Sequence, residues 1–445
     1  MKYRRDIDGL RAMAIMAVVL YHAFPKIFHG GFVGVDIFFV ISGYLISLIL
    51  FENFKNNDFC LYGFYARRIK RIIPALLVVI TSSLIFGWFA LTDTEYSLLA
   101  KHSITGTLFI SNFILAKEAG YFDLASHAKP LMHLWSLSIE EQFYIIWPLL
   151  LAFAFKRKFN IISVTSGLIL ISFFICVNTL SKNSTNAFYL PWCRFWELLS
   201  GALLAYFTYS NKIANLDKLS AKLNYVFNIV IYRDRSDHYD GILKDTAALM
   251  GFIINILCII CLKKSYPFPG WYAVLPVIGT VLIIGAGEEA YINKKILSYK
   301  LCVGIGLMSY SLYLWHWPLL SFSIILEGQR PSNVVILFIL FISFIFSWIT
   351  YKFVEKPIRF LKNNKEVVLI LAICLILVTI GSYNIFVKGG YSWREANLIN
   401  KVPLLPQQDE NFLNQEISCL SPSSRIEKKE LRMYSVHQIP QSLNF

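Results

Sequence analysis

Charge is what this sequence has least of. Only 16% of its 445 residues are charged, against roughly 25% in ordinary soluble domains. A soluble chain of this length would fold as two or three domains with polar surfaces, and too few charges are present to coat them. Acidic residues are scarcer still, 28 against 42 basic ones. A disulfide framework is also missing: the 8 cysteines are scattered and mostly lie inside apolar runs. Cys258 and Cys261 form a CxxC, but within the apolar run 253–262, which favours packed thiols over a metal or redox pair. The first apolar stretch has no small-residue cleavage site and more such stretches follow, so a cleavable signal peptide is not expected. No internal repeat of the kind that marks many transporters is visible. What is present is apolar: 56% of residues are hydrophobic, arranged in long recurring stretches. The expected fold class is an all-α polytopic membrane protein.

The net charge of +14 on a soluble protein would suggest nucleic acid. Here the basic residues cluster at the ends of apolar segments, as loops retained in the cytoplasm require, so the expected partner is the lipid bilayer and no nucleic acid. Alternation of these clusters predicts spans over 10–24, 32–51, 72–91, 139–155, 160–177, 191–209, 246–262, 271–287, 301–320, 334–351 and 367–386, about eleven in all. Pro74 is expected near the first turn of the third. The stretch 103–115 is too short to span and reads as a re-entrant or interfacial element. The N-terminus, with Lys2, Arg4, Arg5 and Arg11, is expected in the cytoplasm and the C-terminus outside. The polar loop 210–244 is expected in the cytoplasm, and the tail after Gly389 to be disordered.

Ionisable groups within spans are costly unless paired, so each is a candidate. Asp8 and Arg11 are one turn apart and suited to a salt bridge. Arg11 and His22 are eleven residues apart, which places them on one helix face with ~16 Å between them. An imidazole there either accepts a proton from a hydroxyl, as acyl transfer needs, or is an interfacial histidine bonded to backbone. Asp36, at an apolar helix start, either orients His22 or serves the helix dipole. Ser42 and Gly43 read as small packing residues rather than a nucleophile. Arg67, Arg68, Lys70 and Arg71 suit either a phosphorylated cosubstrate or lipid headgroups. Glu140 and Glu141 stand near a helix start, with Ser138 as its expected cap and Glu141 three residues on. Tyr310, Tyr313, Trp315, His316 and Trp317 form an interfacial belt or line a cavity.

Asp8-Gly9-Leu10-Arg11, Tyr21-His22 and Gly34-Val35-Asp36-Ile37-Phe38-Phe39-Val40-Ile41-Ser42-Gly43-Tyr44-Leu45 resemble the start of the acyltransferase family 3 membrane enzymes. The likeness continues through Arg67-Arg68-Ile69-Lys70-Arg71-Ile72-Ile73-Pro74, Trp135-Ser136-Leu137-Ser138-Ile139-Glu140, Ser309-Tyr310-Ser311-Leu312-Tyr313-Leu314-Trp315-His316-Trp317-Pro318 and Val354-Glu355-Lys356-Pro357. Several motifs in one order are more specific than any alone. The resemblance implies a bundle of about ten helices over 1–362, with an additional transmembrane helix at 363–388 and an extracytoplasmic tail at 389–445. It implies transfer of an acetyl or other short acyl group from cytosolic acyl-CoA to a hydroxyl of a cell-envelope glycan such as lipopolysaccharide O-antigen, in the bacterial inner membrane. Arg11 and His22 match the family's essential pair, and Asp36 and Glu140 join them as candidate catalytic residues. Arg67, Arg68 and Arg71 match the motif implied to hold the acyl donor, and Tyr313, Trp315 and His316 are candidate substrate contacts. No metal is implied. Many relatives with an extra last helix continue into an SGNH hydrolase-like domain with a Gly-Asp-Ser block, which the tail here lacks. A separate SGNH-type protein is therefore an expected partner. A transporter or flippase without chemistry, or a truncated inactive enzyme, are the alternatives.

Overall fold

An apolar segment in lipid satisfies its own backbone only as a helix or in a closed barrel, and this chain takes the first route. The computed structural model describes residues 3–56, 60–118, 128–210, 241–361 and 364–394, all in the unit Met1–Leu398. Most of the loop expected at 210–244, and the tail beyond 394, lie outside the described residues. Among the described residues every regular element is helical. In chain order they are α1 (Arg5–Ala23), α2 (Gly34–Lys55), α3 (Leu61–Ala90), α4 (Asp93–Thr107), α5 (Ser111–Glu118), α6 (Leu134–Lys156), α7 (Ile161–Lys182), α8 (Ser184–Tyr189) and α9 (Phe195–Tyr209). Then follow α10 (Ile242–Cys261), α11 (Gly270–Ala286), α12 (Lys300–Leu307), α13 (Ser309–Glu327), α14 (Asn333–Ile349), α15 (Lys356–Arg359) and α16 (Asn364–Val387).

Seven described helices are long and apolar enough to cross a membrane: α2, α3, α6, α7, α10, α14 with its continuation to Arg359, and α16. The chain is an all-α polytopic membrane protein. Several expected boundaries shift for physical reasons. α1 begins at Arg5, five residues before the expected span, because its charges are paired internally. Arg4 binds Asp6 at 2.6 Å, Tyr3 donates to Asp8 at 2.6 Å, and Arg11 lies 3.3 Å from Asp8. α3 begins at Leu61, so Pro74 sits in its interior rather than its first turn. The segment 301–320 is two helices, α12 and α13, broken at Met308. Residues 103–115 belong to the helix pair α4 and α5, which turns at Phe109 in a left-handed conformation (φ 54°).

Glycines set the closest helix contacts, as expected where lipid supplies no hydrophobic drive to association. A side chain at Gly43 or Gly201 would strike the backbone of the facing helix, at Leu198 and Val40 respectively, so α2 and α9 pack backbone to backbone. Gly9 and Gly306 do the same for α1, against Leu297 and Asp8. α16 is fastened to α4 by Ser382–Ser103 (2.8 Å) and Thr379–Thr107 (2.9 Å). Beyond it, Arg394 donates to the carbonyls of Gly87, Trp88 and Leu91 at the C-terminus of α3.

Gly43→Ala is expected to destabilise the detergent-solubilised protein by about 1–3 kcal/mol through overpacking. Gly304→Ala, where a Cβ meets nothing within 4 Å, serves as control. Equal thermal unfolding of the two variants would contradict this packing.

Candidate active site

α1, α2, α3, α6 and α13 line a half-open cleft. α2 supplies an apolar wall, Val35, Phe38, Ile41, Leu45 and Ile46, broken by the hydroxyl of Ser42. The expectation paired Ser42 with Gly43 as packing residues. The structure separates them: Gly43 meets α9, and Ser42 faces the cleft.

The opposite walls are polar. Arg11 enters from α1, Arg68 and Arg71 from α3, Glu140, Glu141, Tyr144 and Ser136 from α6, and Tyr310 and Tyr313 from α13. Residues three apart share a helix face, so Arg68 and Arg71 point inward together while Arg67 is exposed on another side. Lys70 is tied to the Leu361 carbonyl at 2.8 Å. Of the four basic residues expected to act together, two line the cleft.

The two acids do not cap a helix start. α6 begins at Leu134, no side chain caps it, and Ser138 donates back to the Leu134 carbonyl at 3.0 Å. Glu140 and Glu141 therefore stand inside the bundle, where Glu140 accepts from Tyr144 at 3.0 Å. Among the described residues, Arg68 Nε and Glu141 Oε1 are buried without a hydrogen-bond partner. Such groups cost about 1–3 kcal/mol each when left unpaired, so their presence in a cleft points to a polar ligand.

α13 is held so that its two sides do different work. Ser311 donates to Glu355 at 3.0 Å and Trp315 Nε1 to Thr350 at 2.9 Å, anchoring one side to the π-helical segment Thr350–Glu355. Trp315, a candidate substrate contact, is thus placed in a helix–helix junction rather than the cleft. The other side presents Tyr313 and His316. Tyr313 donates to the His133 carbonyl at 2.7 Å and so receives the Ser136 hydroxyl, also at 2.7 Å. Tyr310 donates to the Ile72 carbonyl at 2.9 Å, fixing α3 beside it.

From the cleft wall at Tyr313, aromatic rings lead to the far end of α1. Tyr313 lies 5.4 Å from His133 and 5.6 Å from His316 between ring centroids, and His316 is stacked 5.3 Å from His22. His22 Nδ1 and His316 Nε2 are 3.1 Å apart. Trp317 packs edge-on against His22 at 4.5 Å and donates to the Lys129 carbonyl at 2.9 Å. Lys129 in turn binds Glu118 at 3.0 Å, as do His102 (2.9 Å) and Lys101 (2.6 Å). On α5, burial works to raise the Glu118 carboxyl, yet these three partners hold it well below the usual carboxylate range. Arg330 caps the last turn of α1 through the Ala23 carbonyl.

Asp36 is elsewhere. Fully buried, it pairs with Arg194 at 2.9 Å, and Arg194 pairs with Glu197 at 3.1 Å. The guanidinium lies over Phe39, Phe188 and Phe268. This triad joins α2 to α9, and the hydrogen-bond partner of His22 is His316 on α13 instead. Glu141 and Tyr310, named above only as a capping acid and a belt or cavity residue, line the cleft, as does Ser136, and His133 lies beside Tyr313. Three of them had a signal: Ser136, Glu140, Glu141 and Tyr144 share one helical face, and Tyr310 and Tyr313 another. His133 had none, since its position depends on the turn before α6.

Accessibility tests the cleft. In a cysteine-depleted background, Ser42→Cys is expected to react with a water-soluble thiol reagent. Ser47→Cys should resist, because Ser47 is fully buried and bound by Trp147 Nε1 at 2.8 Å. Matching reactivity at the two positions would contradict the assignment.

Comparison with known proteins agrees with this architecture. The family model for the acyltransferase 3 type, an acyltransferase domain, matches residues 4–352. The chain is 32% identical over 366 residues to the peptidoglycan O-acetyltransferase OatA of Listeria monocytogenes, covering 80% of this chain and 56% of that protein. It is 32% identical over 372 residues to the O-acetyltransferase OatA of Staphylococcus aureus, covering 80% and 57%. A putative O-acetyltransferase of Staphylococcus aureus is 31% identical over 372 residues, covering 81% and 58%. The chain thus spans a little over half the length of these relatives. No solved structure matches it significantly. The chain belongs to the acyltransferase 3 family, with its acyltransferase domain over residues 4–352.

Proposed function

We propose that this protein is a membrane O-acetyltransferase that takes an acetyl or other short acyl group from cytosolic acyl-CoA and places it on a hydroxyl of a cell-envelope glycan. The observation that carries the reading is a base-capable histidine pair adjoining a cleft with two inward arginines, one holding an orphaned donor. A phosphorylated donor suits Arg68 and Arg71, whose guanidinium forks match phosphate oxygens. Arg11 adds a third cation, and the apolar wall of α2 suits an extended, weakly polar arm. Glu140 and Glu141 stand among these cations on the polar walls of the cleft.

In this reading His22 accepts the proton of the acceptor hydroxyl. The acceptor oxygen forms a bond to the acyl carbon as the carbon–sulfur bond of the thioester breaks. The departing thiolate receives the proton from His22, which leaves the imidazole neutral for the next turnover. The basic clusters support an N-terminus in the cytoplasm of a bacterial inner membrane, with donor entry from that side. The name of the Listeria monocytogenes relative makes peptidoglycan the first acceptor to test, with lipopolysaccharide O-antigen as the second.

The test is mass spectrometry of envelope glycans from cells carrying wild type or His22→Ala at matched protein levels. Loss of general-base catalysis is expected to cut acetylation about 10²–10⁴-fold, and unchanged acetylation would remove His22 from the mechanism. With the purified protein, Arg71→Ala should weaken CoA binding about 10–100-fold, the size of a lost charge-assisted hydrogen bond. Arg67→Ala should leave binding near wild type, and an equal effect of the two would contradict the placement of the donor.

A further inference from the structure

His316 reads from sequence as a substrate contact, but its hydrogen bonds assign it another task. Its Nδ1 lies 2.8 Å from the Tyr313 carbonyl and 3.1 Å from the Leu312 carbonyl. Carbonyl oxygens only accept, so Nδ1 carries a hydrogen. In the neutral ring the other nitrogen, Nε2, is then an acceptor. Its partner at 3.1 Å is His22 Nδ1, which must therefore donate. The consequence reaches the far side of the second ring, where His22 Nε2 is left with a free lone pair. The opposite arrangement needs an imidazolium at His316. Among the described residues the groups around the pair are His133, Trp317 and Tyr21, and none is a carboxylate able to balance such a charge.

We propose that His316 is a positioning residue that locks His22 in the Nδ1-protonated tautomer and so makes His22 Nε2 the proton acceptor of the transfer reaction. Two backbone carbonyls of α13 and one imidazole thereby do what a buried carboxylate does for a catalytic histidine: they fix which nitrogen is basic and which way the ring faces. The carbonyls belong to residues three and four positions before His316, so the helix itself sets the direction of the chain of hydrogen bonds. This rests on the reading of His22 as the base, yet the tautomer is a property of the resting protein and is measurable without turnover.

The experiment is ¹⁵N solid-state NMR of the full chain, histidine-labelled, in bilayers without acyl donor, with the His22 signals assigned by their loss in His22→Asn. The expected result is a protonated Nδ1 and an unprotonated Nε2 at His22, reversing or becoming mixed in His316→Leu. An Nε2-protonated His22 in the wild type would overturn the proposal. Kinetics provide the second arm. His316→Leu should lower kcat about 100-fold, the scale of a misoriented catalytic group, with KM for acyl-CoA changed by less than about threefold. His316→Gln, whose side-chain oxygen can accept from His22 Nδ1, should recover a large part of that loss. If Leu and Gln are equally impaired, or if KM alone rises, His316 packs or binds substrate and the proposal falls. An active His22→Ala variant beside the expected tautomer would instead defeat the base assignment and leave the tautomer standing.

Discussion

The hydrogen bond between His22 and His316 joins the two helices on which the site depends. α1 carries Arg11 and His22 on one face, and α13 carries Tyr313 and His316 opposite them. At the other end of α1, Gly9 and Gly306 let it pack backbone to backbone against Leu297 and α12, the helix that leads into α13. α13 must also be held from rotating, which Thr350 and Glu355 achieve through Trp315 and Ser311. Preorganisation of this kind is what acid–base chemistry needs, because a small error in placement is costly in rate. α1 and α13 are also absent from the seven helices apolar enough to span by composition alone. Their polar residues make them poor membrane helices by themselves, and surrounding helices shelter them.

Electrostatic pairing divides the polar residues of the bundle into two kinds. Asp36, Arg194 and Glu197 pair as ions in a fully buried triad that holds α2 against α9, although several of their polar atoms have no hydrogen-bond partner among the described residues. Buried pairs of that sort break at a cost of several kcal/mol when one partner is removed, so they serve the fold. The charged groups of the second kind differ in bordering an open cleft. Arg68 Nε and Glu141 Oε1 are buried without hydrogen-bond partners among the described residues, and three arginines face two glutamates. An incompletely satisfied set of charges beside an apolar wall is what a large anionic ligand with a less polar arm would complete.

Sequence periodicity was enough to place Arg11 and His22 on one helix face and to identify the helical, membrane-spanning class. It also brought Arg68 and Arg71 into view, though separating them from Arg67 required knowing that one face of α3 meets the cleft. What it left out depends on tertiary pairing. An acid at an apolar helix start looks the same whether it faces His22 or Arg194, so the partner of Asp36 was not legible in the sequence. Trp315 and His316 are adjacent in sequence and point to opposite sides, which only the packing of α13 against the π-helical segment decides. Ser138 and Glu141 fit a helix-capping spacing, but α6 starts at Leu134 and carries both inside. Neighbouring acids or bases such as Glu140 and Glu141, or Arg67 and Arg68, carry no label for which of them an adjacent helix will claim.

The account holds that a donor bound at Arg68 and Arg71 and an acceptor near His22 meet within one bundle, entering from opposite faces of the membrane. The most direct measurement supplies radiolabelled acetyl-CoA to one side of sealed, oriented proteoliposomes and a glycan acceptor to the other. Label is expected on the acceptor only when the donor is on the face bearing the N-terminus of α1. Label appearing only with both reactants on the same side would contradict the account.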